Sequence, residues 1–110
     1  MQATAIDHPQ DMVVLSLHGD LDTSTAAALQ EALDALLTRP APRIVVDLAQ
    51  LRFCDSVGLG SFVTGRRAAA DRGGWLRLAR PNPFLGQLLS TVGLTRYLAI
   101  HRDLATAAVP

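Results

Sequence analysis

The chain has 110 residues, with ten arginines and no lysine balanced by ten Asp and Glu, and 49% of it is hydrophobic. That length and apolar share suit one small domain, 1–110, with a core of its own. Zero net charge argues against nucleic acid and against a polybasic membrane contact. The missing lysine removes a phosphate-loop nucleotide site, Schiff-base chemistry and a receiver-type phospho-aspartate site.

The lone Cys54 cannot close an internal disulfide, and "MQATAIDHPQ" has neither a basic nor an apolar signal region. No apolar run reaches the ~18 residues of a membrane helix. The expectation is a cytoplasmic protein without membrane insertion.

"QATAID" reads as a short edge strand and "HPQD" as a turn. "MVVLSLHG" is a β-branched and aliphatic strand closed by Gly19. "DLDTST" supplies capping residues for a helix whose apolar positions Ala26, Leu29, Leu33, Leu36 and Leu37 recur at helical spacing. "RIVVDL" is the continuous apolar run of a strand covered on both faces, with Asp47 expected where it turns polar at its end.

After "RFCDSVGLGS" a second helix presents Leu59, Phe62, Val63 and Ala70, and it stops at "DRGG". "WLRLA" alternates as a strand does. "PNPFLGQLLSTVG" is a helix begun after proline and ended at Gly93, with Phe84, Leu88 and Leu89 inward. "RYLAIH" is a last short strand and "RDLATAAV" a final helix. Strands alternating with helices make an α/β fold: a mixed, mostly parallel sheet of four to five strands, packed by about four helices. The first two strands are too close for a crossover and pair antiparallel.

In such a sheet, function gathers beyond the carboxyl ends of the strands. Two acidic loops fall there, "GDLDTST" and "CDSVGLG", and neighbouring strands would bring Asp20, Asp22, Asp55 and Ser56 to one end. Ser56 has two compatible readings. It can cap the second helix, its oxygen accepting a backbone N–H. It can also be displayed for modification, since a helix N-terminus tolerates a phosphate.

Other chemistry finds little support. His8, His18 and His101 show no ligand spacing, so no metal and no cofactor is expected. Gly58, Gly60 and Gly65 do not make a nucleotide loop, since "GLGSFV" lacks the third glycine of a dinucleotide fingerprint. Gly58 and Gly60 read instead as allowing a backbone, the sheet's or a partner's, to come close. Neither Ser56 nor Ser61 sits in a Gly-x-Ser-x-Gly elbow, which disfavours a serine hydrolase. Cys54 reads as a buried structural thiol. Arg66 and Arg67 begin a polar helix face with Asp71 and Arg72.

"GDLDTSTAAAL", "IVVDLAQLRFCDSVGLGSFV" and "RPNPFLGQLLSTVGL", in this order and over about Val13 to His101, resemble the STAS domain family. Within it they resemble the small bacterial anti-sigma factor antagonists. The resemblance implies a regulatory binding module that is not an enzyme. Unphosphorylated, it binds an anti-sigma factor with serine kinase activity and so frees the sigma factor. Phosphorylation of Ser56 ends that binding, and a serine phosphatase restores it.

The resemblance further implies that Asp55 orients Ser56 and that Asp20, Asp22, Thr23, Asp55, Val57, Gly58, Leu59 and Gly60 meet the partner. Two positions depart from the usual pattern. Val57 stands where Ser, Thr or Ala is usual, and Asp20 where Glu is common. A second reading keeps the fold without the switch: a scaffold or accessory subunit bound to an ATPase, for example in lipid transport. Self-association is left open.

Overall fold

Aliphatic and β-branched residues run almost unbroken through Val13–Leu17 and Ile44–Leu48, and both runs are central strands covered on two sides. The computed structural model describes residues 1–109. Its strands are β1 (Gln2–His8), β2 (Met12–Leu21), β3 (Arg43–Cys54), β4 (Trp75–Ala79) and β5 (Ile100–His101). Its helices are α1 (Ala26–Leu37), α2 (Ser56–Asp71), α3 (Pro83–Thr91) and α4 (Leu104–Ala107), with a 3₁₀ turn at Leu94–Arg96. The five strands form one sheet in chain order; β1 and β2 are antiparallel and every later pair is parallel.

The α/β expectation and its antiparallel start therefore hold. Leu29, Leu33 and Leu36 of α1, Leu59, Phe62 and Ala69 of α2, and Leu85 and Leu89 of α3 join one buried cluster with Leu15, Leu17, Ile44 and Val46. The three crossover helices thus share one face of the sheet. On the reverse face Val14, Val45 and Ala79 pack with Ala107 of α4.

Three expectations need correction. Asp47 does not end a strand. It lies in the middle of β3, 5% exposed, and Arg80 reaches it there. Arg80 forks onto it, Nε to Oδ1 at 3.0 Å and Nη2 to Oδ2 at 2.6 Å, and the Ala49 N–H adds a third bond at 3.1 Å. Arg80 takes a left-handed backbone (φ +56°), a strained state for a side-chain-bearing residue that this bidentate pair holds in place.

Phe84 is not inward. Leu85 and Leu89 take the buried stripe of the short α3, and Phe84 lies exposed against Phe53. On α2 the inward residue is Ala69, while Ala70 faces out.

Two details aim the site. β2 continues past Gly19 (φ +98°) to Leu21, with register shifts at Ser16/His18 and Gly19/Asp20. Such bulges sharpen local twist and redirect the strand end. Pairing then resumes as Leu21 with Cys54, so both strands end at one level.

Candidate functional site

Because Leu21 and Cys54 are partners, the next residues, Asp22 and Asp55, open two loops side by side. The Asp55 N–H donates to the Leu21 carbonyl at 3.0 Å, and the Thr23 hydroxyl donates to Asp55 Oδ2 at 3.4 Å. The expected meeting of the two acidic loops is present, bridged by Thr23.

Asp55 is the N-cap of α2. Its backbone is extended, and its Oδ1 accepts the Gly58 N–H at 3.0 Å. This corrects one of the two readings of Ser56. The carboxylate one residue earlier already fills the capping role. Ser56 is the first helical residue and its side chain is exposed. Asp55 thus fixes the helix start that presents the Ser56 hydroxyl, while free N–H groups of the first turn and the helix dipole favour negative charge there.

The neighbouring loop is built by its own hydroxyls. Asp22 Oδ1 accepts from the Ser24 N–H at 2.9 Å and the Ser24 hydroxyl at 2.6 Å. Thr25 accepts the Asp22 N–H at 2.9 Å and donates to the Asp20 carbonyl at 2.9 Å. The Ser24 hydroxyl, with smaller help from the Ser24 and Thr25 amides and the Thr25 hydroxyl, holds the Asp22 carboxyl below its ordinary pKa. Asp22 is therefore an anion that also serves as the loop's framework. Asp20 is the freer charge; Arg52 approaches it at 3.4 Å, an exposed pair that contributes little.

Not all the expected contact residues face outward. Gly58 and Leu59 are buried. A Cβ on Gly58 would stand 2.6 Å from Leu21 Cγ and 2.7 Å from Cys54 Sγ. This glycine lets α2 settle onto the side chains that end β2 and β3, so the close neighbour is side chain rather than backbone. A Cβ on Gly60 meets nothing within 4 Å, which leaves that side of the helix open. Beside it lies a shallow apolar groove of about 240 Å³, formed by Ser56, Leu59, Gly60, Val63, Val92 and Leu94.

The outward residues are Thr23, Ser56, Val57 and Gly60, with Asp20, Asp22 and Asp55 partly exposed. Phe53 and Phe84 stack nearby in the fold, centroids 6.3 Å apart, at the end of β3 and the start of α3. Sequence reasoning missed this aromatic pair and the α3 side of the groove. It also missed Arg52, although Arg52 stands in the same stretch as Ser56. Cys54 is buried, and burial, with a smaller push from the Asp55 charge, raises its thiol to about 12.

The STAS family model described as "Mlab, STAS domain" matches residues 4–102. Among curated proteins, the anti-sigma F factor antagonist of Paenibacillus polymyxa is 29% identical over 97 residues, 87% of this chain and 83% of that one. The anti-sigma-F factor antagonist RsfB of Mycobacterium tuberculosis is 41% identical over 56 residues, which is 51% of this chain and 45% of RsfB. An anti-sigma factor antagonist from Mycobacterium paratuberculosis superposes with a TM-score of 0.86 at 25% identity, covering 96% of this chain and 89% of the other. The phosphorylated form of the Bacillus cell fate determinant SpoIIAA has the same fold, with a TM-score of 0.73 at 20% identity and 96% of each chain covered.

Proposed function

The chain belongs to the STAS domain family, and we propose that it is an anti-sigma factor antagonist whose partner binding is switched off by phosphorylation of Ser56. One observation carries the reading. Asp55 takes the capping role, so the Ser56 hydroxyl stands exposed on the first turn of α2 with no structural duty there. The relatives named anti-sigma factor antagonists support the partner class.

The unphosphorylated surface combines an acidic rim (Asp20, Asp22, Asp55) with apolar contact area at Val57 and the α2–α3 groove. A kinase-competent anti-sigma factor binds there and releases its sigma factor. Phosphorylation adds roughly −1.5 to −2 charges beside three carboxylates. The helix N-terminus of α2 tolerates that charge. A partner fitted to the neutral hydroxyl meets a dianion it must desolvate, and like-charge juxtaposition across an interface costs several kcal/mol. A serine phosphatase resets the surface. The protein itself is a substrate and a binder.

The test is reconstitution with the anti-sigma factor it binds and ATP, read by intact mass and peptide mapping. One phosphate at Ser56 is the expected result; a bound, ATP-competent kinase that leaves Ser56 unmodified sinks the switch. By calorimetry, Ser56→Ala keeps partner affinity and Ser56→Asp loses it. Equal affinities for the two would remove the charge argument.

A second reading rests on Val57, 48% exposed directly after the acceptor. An apolar side chain there suits a permanent interface, as in a scaffold or accessory subunit bound to an ATPase. Co-purification with a transporter ATPase, and no phosphate on Ser56, is the outcome that favours it.

A further inference from the structure

The sheet has two unequal edges. β5 is two residues long, whereas β1 runs for seven, Gln2–His8, with β2 as its one strand neighbour among the described residues. Six of the seven are exposed and Ala3 is half-buried. Outside the ladder with β2, no backbone group of β1 bonds another backbone group among the described residues. In an antiparallel ladder every second residue turns its N–H and C=O away from the partner strand. The outer side of β1 is therefore an accessible row of open donors and acceptors.

Natural edges of this kind are blunted by lysine, by proline or by a bulge. The chain has no lysine, and Gln2–His8 holds no proline. Its seven pairs with β2 run without a register shift. Its one formal charge, Asp7, already pairs with Arg39 at 3.2 Å.

The strand fits its own copy. Ala3 packs against the main core, so Ala3, Ala5 and Asp7 share the helix-bearing face. Ile6 lies opposite Val14, on the reverse face, and is 58% exposed. A two-fold axis normal to the sheet beside Ala5 sets β1 antiparallel to its copy along its whole length. Gln2 then faces the copy's His8, Ala3 faces Asp7, Thr4 faces Ile6, and Ala5 faces itself. No like charges meet, because Asp7 and its copy fall at opposite ends. Each exposed Ile6 gains a β-branched Thr4 across the ladder, a pair of the kind that stabilises sheets. A foreign strand would instead draw its specificity from pockets for alternate side chains, and Ala3 and Ala5 offer only methyl groups.

We propose that the protein forms a closed dimer through β1, its five-stranded sheet joined edge to edge with that of a second copy. The contact is isologous, and the two-residue β5 at the far edge offers too little backbone to extend the array. The axis reverses strand direction, so the two Ser56 ends point opposite ways and both stay free. One dimer thus presents that surface to two partner molecules at once.

Sedimentation equilibrium of the full chain, from micromolar to millimolar concentration, is expected to show a reversible monomer–dimer equilibrium. Thr4→Lys/Ile6→Lys sets like charges opposite each other twice across the axis and should weaken the dimer at least about tenfold. Thr4→Glu/Ile6→Lys sets opposite charges there and should restore it. Both positions are exposed, so these variants should fold, and unchanged circular dichroism checks it. Ala5→Cys should oxidise to a disulfide-linked dimer, since cross-strand neighbours lie within disulfide reach. The native Cys54 is buried and does not compete.

A monomer throughout the concentration range overturns the proposal. So does a dimer that the Lys/Lys variant leaves intact and that Ala5→Cys does not cross-link, because its interface lies elsewhere. Failure of the Glu/Lys variant to restore association overturns the register about Ala5. Species larger than a dimer overturn the closed two-fold. Ser56→Asp should dimerise like the parent, so this surface and the phosphoswitch are decided separately.

Discussion

Glycine-to-alanine exchange at positions 58 and 60 should have opposite signs, two residues apart on the same helix. Inside a helix, alanine is favoured over glycine by about 1 kcal/mol. At Gly60 the added methyl meets nothing within 4 Å, so the full gain is expected. At Gly58 it would stand 2.6 Å from Leu21 Cγ and 2.7 Å from both Leu21 Cδ2 and Cys54 Sγ. Leu21 is 0% and Cys54 1% exposed, so neither can swing aside.

Overpacking of this kind costs about 1–3 kcal/mol. Net of the propensity gain, Gly58→Ala should destabilise by up to about 2 kcal/mol, and the two variants should differ by about 1–3 kcal/mol. In urea melts the difference appears as a shift in midpoint at constant slope. In thermal melts it amounts to roughly 4 °C per kcal/mol for a domain of this size. The consequence extends to function, because Gly58 seats the turn that carries Ser56. Under the proposed switch, Gly58→Ala should also slow phosphorylation of Ser56. Equal or greater stability of Gly58→Ala than of Gly60→Ala would refute the packing argument.

Three further outcomes follow from buried groups. Arg80→Ala strips the bidentate partner from the buried Asp47 and should cost about 3 kcal/mol, the low end for a broken buried pair because Arg80 is partly exposed. Burial alone would raise the Asp47 carboxyl, but bonds from Arg80 and Ala49, with the charges of Arg80 and His18, hold it below its ordinary value. Its stabilisation is therefore complete above about pH 4 and fades as pH falls through the lower native value. Asp47→Asn should flatten the acid limb of a stability–pH profile, and an unchanged limb would contradict the pairing. Cys54, with its thiol near 12, should react with iodoacetamide at pH 8 roughly 10³-fold more slowly in the native protein than in urea. Fast native alkylation would show that the thiol is not sealed under α2.

Much of the site was legible because its grammar is local. Strand-ending residues before acids and hydroxyls, followed by helical spacing, put Asp22, Asp55 and Ser56 at loop and helix starts. The cap was less legible, since Asp55 and Ser56 are both good caps, and only the extended backbone of Asp55 and its bond to Gly58 separate them. Phe84 was misplaced because 84, 88 and 89 also fit a helical stripe. A nine-residue helix offers too few positions to decide which stripe meets the sheet.

By itself, the sequence determined an alternating α/β chain, an antiparallel first pair, and an acid–serine step opening a helix. These follow from periodicity and capping, which act within a few residues. Only the tertiary structure decided that Leu21 lies opposite Cys54, so that the two acidic loops touch. Only it paired Asp47 with Arg80 across 33 positions, and gave Gly58 a crowded site and Gly60 an open one. Periodicity tells a side chain which face of its own element it occupies. What waits on that face is set by chain segments far away in sequence, and their arrival is a property of the folded whole.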